Sequence, residues 1–75
     1  MNLNDKTFLQ ELGYRIREKR LAHGLTQADL AEKCNLHRTF IGSVERGERN
    51  ISILNLLLIA KVLRVSLAEL LHGLP

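Results

Sequence analysis

Residues 25–50, LTQADLAEKCNLHRTFIGSVERGERN, decide how this chain folds and what it is built to touch. Thr26 stands three residues before Asp29, the spacing at which a capping hydroxyl and a third-position carboxylate exchange hydrogen bonds with two backbone amides. Leu30, Ala31 and Cys34 follow at helical spacing, and Asn35 suits the left-handed turn that ends such a helix. A second helix is expected from roughly Arg38 to Arg46, stopped by Gly47. Ile41, Val44 and Glu45 would occupy one side of it, and Arg38, Thr39, Gly42, Ser43 and Arg46 the others. Two short helices joined by a tight turn, about 26–46, can set the N-terminus of the second into the major groove of DNA.

Upstream, a helix from about Asp5 to His23 is expected, with Asn4 or Asp5 as N-cap and Gly24 as its left-handed stop. Phe8, Leu9, Leu12, Ile16 and Leu21 form its apolar stripe, while Arg15, Arg17 and Lys19 lie largely off it. Downstream, Ser52 caps a helix over Ile53–Leu63. Ser66 and Glu69 then form a capping box for a last helix, about Leu67–Leu71, ended by Gly73 and Pro75. The fold class is therefore all-α: a compact five-helix bundle containing a helix-turn-helix, with residues 1–75 as a single domain.

The fourth helix departs from the usual amphipathic pattern. Ile53, Leu56, Leu57, Ala60 and Leu63 make a core stripe, yet Leu54, Leu58 and Val62 repeat on another face. So small a domain can hardly cover both faces with its own atoms. A homodimer interface on Leu54, Leu58, Val62, Leu67 and Leu71 is expected; the alternative is that the first or fifth helix covers the second stripe.

Composition permits this reading without demanding it. There are 11 Lys and Arg against 8 Asp and Glu, a formal charge of +3, so any affinity for a polyanion must come from where the cations sit. The single cysteine, Cys34, excludes an internal disulfide and is expected as a packed thiol. No segment has the length of a membrane span and MNLNDK has no signal-peptide core, so a cytoplasmic protein acting on the nucleoid is expected. His23, His37 and His72 lie far apart with no metal-ligand spacing, and no nucleophile–base set or phosphate loop is visible. No catalytic residue, metal, cofactor or small-molecule ligand is expected, and the chain is not read as an enzyme.

Each candidate DNA contact has a physical basis. Gln27, in the first turn of its helix, can offer its amide and nearby backbone N–H groups to a phosphate. Arg38 has the planar fork that pairs with guanine O6 and N7. Thr39 can donate to a base edge or pack its methyl on thymine, and Ser43 lies one turn further on. Phe40 could meet a thymine methyl or the backbone wall, while Arg46, Arg49 and Asn50 are placed for phosphates. Gly42, mid-helix, costs stability relative to alanine unless DNA or a neighbouring helix approaches closely there.

From Arg15, RIREKRLAHGLTQADLAEKCNLHRTFIGSVERGERN, to VSLAELL, the chain resembles the Cro/C1-type (xenobiotic-response-element) helix-turn-helix regulators. Its block LHRTFIGSVERGERNIS most resembles the controller proteins of restriction–modification systems. That resemblance implies a small homodimer that binds a roughly palindromic double-stranded operator and regulates its own operon and an endonuclease gene. It implies base reading by Arg38, Thr39 and Ser43, a phosphate contact from Gln27, and backbone contacts from His37, Phe40, Arg46 and Asn50. It also implies a partly buried ion pair between Arg20 and Glu45, which makes Glu45 structural. His37 stands where the family favours Ser, Asp or Thr as N-cap, and Leu54 and Leu58 replace residues it often keeps charged. RNA polymerase becomes a partner if the regulator activates, through a surface the sequence does not identify.

Other duties of the same fold stay open. An antitoxin would be expected to add a toxin-wrapping segment, and many phage-type repressors add an oligomerisation domain; neither is visible after Leu71. A pure protein-interaction module would have no use for Arg38 and Thr39.

Overall fold

Five α-helices make up residues 3–74, the part of the chain that the computed structural model describes. They are α1 (Leu3–Ala22), α2 (Gln27–Cys34), α3 (Arg38–Glu45), α4 (Ile53–Val62) and α5 (Leu67–Leu71), with no strand among the described residues. The radius of gyration, 11.3 Å, is that of one globule of this length, for which ~11 Å is expected. The all-α bundle with its helix-turn-helix is as expected from the sequence. Pro75, expected to help end α5, lies outside the described residues.

The caps fall where the side chains predict them. Thr26 Oγ1 accepts from the Asp29 amide at 3.0 Å, and Asp29 Oδ2 accepts from the Thr26 amide at 2.9 Å. These bonds hold the Asp29 carboxyl below the usual carboxylate range. The sign follows: the capping contribution is present at neutral pH and is lost as pH falls through the lowered value. Ser66 and Glu69 form the same reciprocal box on α5, and Ser52 accepts from the Asn55 amide at the start of α4. Asn35 takes φ 55° at the end of α2, as expected. α1 begins earlier than predicted, at Leu3, so neither Asn4 nor Asp5 is its N-cap. α3 ends one residue early, with Arg46 as C-cap.

Leu12, Ile16, Leu30, Cys34, Ile41, Val44, Leu56, Ile59, Leu63 and Leu70 form one buried cluster drawing on all five helices. Three apolar expectations fail. Leu21 is 51% exposed, since the opposing helices pack near Leu12, Ile16 and Arg20 and leave it facing solvent. Ile53, expected in the core, is 59% exposed because it opens α4 at the rim of the bundle. Leu57 is only half-buried, and Ile59, absent from the predicted stripe, is buried beside Leu56 and Ala60. Val62, Leu67 and Leu71, expected at a dimer interface, are half-buried against the protein's own core, so the packing of α4 with α5 covers part of that surface. Leu54 and Leu58 remain outside it, exposed by 74% and 37%.

Cys34 is a core thiol at 2% exposure, and burial pushes its pKa up. Reaction of the native protein with an aromatic disulfide reagent is expected to be slow and to accelerate strongly in denaturant. Equal rates in both conditions would contradict the packing of α2.

Candidate nucleic-acid interface

α2 and α3 pack on one another and leave the start of each helix at the surface. Leu30, Ala31 and Cys34 on α2 and Ile41 and Val44 on α3 hold the pair from beneath. The turn between them is closed by the Leu36 amide donating to Ala31 O at 2.8 Å. Gln27, at the start of α2, and Arg38, at the start of α3, flank one open groove.

Arg38 and Thr39 are exposed, and neither side chain has a hydrogen-bond or ionic partner among the described residues. Their donors are free for an outside acceptor. His37 takes the N-cap position without a side-chain capping bond, so the first amides of α3 also stay available. Ser43 is half-buried and its hydroxyl donates to Phe40 O at 2.7 Å, which leaves its oxygen to accept.

Gln27 is anchored from below. Its Nε2 donates to Glu45 Oε1 at 3.1 Å, while Arg20 grips the same carboxylate, Nε to Oε2 at 2.7 Å and the second terminal nitrogen to Oε1 at 2.9 Å. A carboxylate can only accept, so the bond fixes which way round the Gln27 amide lies. One N–H of that amide remains for a phosphate. Gly42, expected to need a close approach by DNA or a neighbouring helix, is buried. A Cβ there would stand 3.3 Å from Gln27 Oε1 and 3.1 Å from an Arg46 terminal nitrogen, so the missing side chain makes room for these neighbours.

The remaining cations are held loosely. Arg46 Nε meets Glu48 Oε1 at 3.1 Å, both more than half exposed, a pair worth little in water. Arg49 lies over the ring of Phe40, 5.2 Å from its centroid, so in the free protein these two candidate contacts occupy one another. Asn50 lies apart from Gln27 and Arg38, beside α1 in a groove lined by Asp5, Phe8 and Leu9. Ile53 and Leu54 open α4 as exposed apolar residues. Among the described residues no group of three or more His, Cys, Asp or Glu could hold a metal ion. No helix there is long and apolar enough to cross a membrane.

The profile of the helix-turn-helix family matches residues 16–70. Control protein C.SmaI of Serratia marcescens is 47% identical over 60 residues, which cover 80% of this chain and 71% of that protein. The chain belongs to the helix-turn-helix family of restriction–modification controller proteins. The structure of the controller C.AhdI from Aeromonas hydrophila matches this one with a TM-score of 0.80 and 45% identity, over 83% of this chain and 94% of that one. That of the C.Esp1396I controller tetramer in complex with its natural 35 base-pair operator matches with a TM-score of 0.78 and 43% identity, over 89% and 88% of the two chains. The family is one of regulators rather than enzymes.

Two features of this controller-family chain escaped the sequence reading. The Gln27–Glu45 bond joins residues 18 apart and has no local signature. Gly47, read only as a helix stop, is buried with its α-carbon against Gln10, where a Cβ would stand 2.6–2.7 Å from atoms of that residue. Its φ of +74° was legible in the sequence; the close approach of α1 was not.

Proposed function

We propose that this chain is a homodimeric, sequence-specific DNA-binding regulator acting on the cytoplasmic nucleoid, which controls its own operon and a restriction endonuclease gene. One observation carries the reading: a free guanidinium and a free hydroxyl, Arg38 and Thr39, open a helix braced against a second helix whose first turn presents an anchored amide. A related controller sits on its operator as a tetramer, which supports duplex DNA as the ligand. Arg38, Thr39 and Ser43 would read bases, with Gln27, His37, Phe40, Arg46, Arg49 and Asn50 on the backbone. Leu54, Leu58 and Val62 of α4 would meet a second copy, with α5 alongside through Leu67 and Leu71. Two-fold pairing would set the recognition helices ~34 Å apart on a roughly palindromic site.

Selection from a random duplex pool, followed by footprinting on the gene's own upstream region, tests this reading. Arg38→Ala is expected to lose about 1–3 kcal/mol of discrimination at one guanine per half-site. Gln27→Ala should weaken all sequences alike, because a phosphate contact carries no base identity. Equal losses for Arg38→Ala on selected and random duplexes would defeat the base-reading assignment.

A further inference from the structure

Three side chains of α1 and the turn that follows it each grip a different helix. Arg20 holds Glu45 of α3. His23 Nε2 lies 2.7 Å from Leu63 O, the C-cap carbonyl of α4; a carbonyl only accepts, so this nitrogen donates. One terminal nitrogen of Arg15 donates to Leu70 O at 3.1 Å and to His72 O, closing the end of α5. A cation against the last carbonyls also opposes the negative end of that helix. Between these grips, Gly13 lets α1 touch the backbone of α3: a Cβ there would stand 2.4 Å from Val44 O and 2.5 Å from Glu45 O.

The packing gives this arrangement a consequence. The main contacts of α3 are with α1 and α2, those of α5 with α1 and α4, and those of α4 with α2 and α5. The recognition helix is therefore tied to the α4–α5 pair chiefly through α1 and α2. Apolar packing is non-directional and tolerates small sliding, whereas a hydrogen bond fixes both distance and angle. The directional bond onto the end of α4 comes from His23, in the turn directly after α1, and those onto the end of α5 come from Arg15 of α1.

We propose that α1 and the turn that follows it form the strut that sets half-site spacing, with Arg15 and His23 as the positioning residues. This rests on the reading of the chain as a DNA-binding dimer built on α4 and α5. Neither residue faces Gln27 or Arg38 across the open groove, so neither is assigned a DNA contact. They hold the angle between the dimer-forming helices and the reading helix, and so decide which separation of half-sites two copies can occupy together.

The test uses the full chain and duplexes carrying the selected half-site, singly and as palindromes whose spacing is changed by one base pair either way. The wild type should favour one spacing. Arg15→Ala and His23→Ala should bind the single half-site as the wild type does, with the preference between spacings reduced roughly tenfold, about the size of a lost hydrogen bond. Arg15→Lys, which keeps a cation and a donor at the end of α5, should recover part of the preference. If Arg15→Ala fails to fold, Arg15→Lys and His23→Ala are read on the same duplex series. An unchanged spacing preference in these variants overturns the proposal. So does a parallel loss on single half-sites and every palindrome, which is what a purely structural role would produce. A wild type that stays monomeric at all concentrations would instead defeat the dimer reading beneath it.

Discussion

Glu45→Ala is expected to cost about 3–5 kcal/mol of folding stability, because it strands a buried guanidinium. The Arg20 and Glu45 side chains are 8% and 3% exposed. Their two parallel bonds, with a third from Arg20 to Leu25 O at 2.8 Å, satisfy the pair without help from water. Removing the carboxylate leaves the charge desolvated and also releases the Gln27 amide. A domain of this size has roughly 5–15 kcal/mol in total, so the variant should be marginal at growth temperature. The guanidinium pKa is raised by its bond to Glu45, so the stability contributed by the Arg20 charge is not lost as pH rises from neutrality until that raised value is reached. Thermal melts followed by circular dichroism provide the measure. At about 4–8 °C per kcal/mol, the midpoint should fall by more than ~10 °C. Replacing both partners with apolar residues of similar volume, Arg20→Met with Glu45→Leu, should recover most of that loss, since no charge is then stranded. A shift under ~4 °C for Glu45→Ala would mean that the pair contributes little to the fold.

Leu54→Glu together with Leu58→Glu is expected to convert a dimer to a monomer and to lower operator affinity by about 10²–10⁴, the range gained when a second binding event becomes intramolecular. The fold should survive, because Leu54 is 74% and Leu58 37% exposed and neither belongs to the buried cluster. Four carboxylates facing one another across a two-fold axis would repel, and the apolar area lost is the area that drives association. Sedimentation velocity should show the monomer at concentrations where the wild type pairs, with the helical spectrum retained. Binding to a single half-site should barely change, which separates loss of pairing from loss of reading. An unchanged dimer would remove these two leucines from the interface and leave Ile53 at 59% exposure without a partner.

The helix-turn-helix was legible because its signals are local. Thr26 with Asp29, and Ser66 with Glu69, are capping pairs three residues apart whose bonds form within one turn. Asn35 and Gly47 mark left-handed stops by their own side-chain chemistry. The Arg20–Glu45 pair was expected only through family resemblance, since its partners are 25 residues apart. The role of Gly42 was open for a related reason: helical periodicity could not say whether DNA or a neighbouring element approaches it, and the Gln27 and Arg46 side chains are what lie against it.

By itself, the sequence determined where α2 to α5 start, which face of α3 carries Arg38 and Thr39, and that α4 has more apolar surface than one core needs. These follow from bonds and periodicities that span a turn or two. Only the tertiary structure decided that Leu21 and Ile53 lie outside, and that Gly13 is where α1 meets the α3 backbone. It alone showed Arg15 closing a helix 55 residues away and His23 another 40 away. The reason is physical: burial and long-range hydrogen bonds depend on which helix lies opposite, and that is settled when all five pack at once.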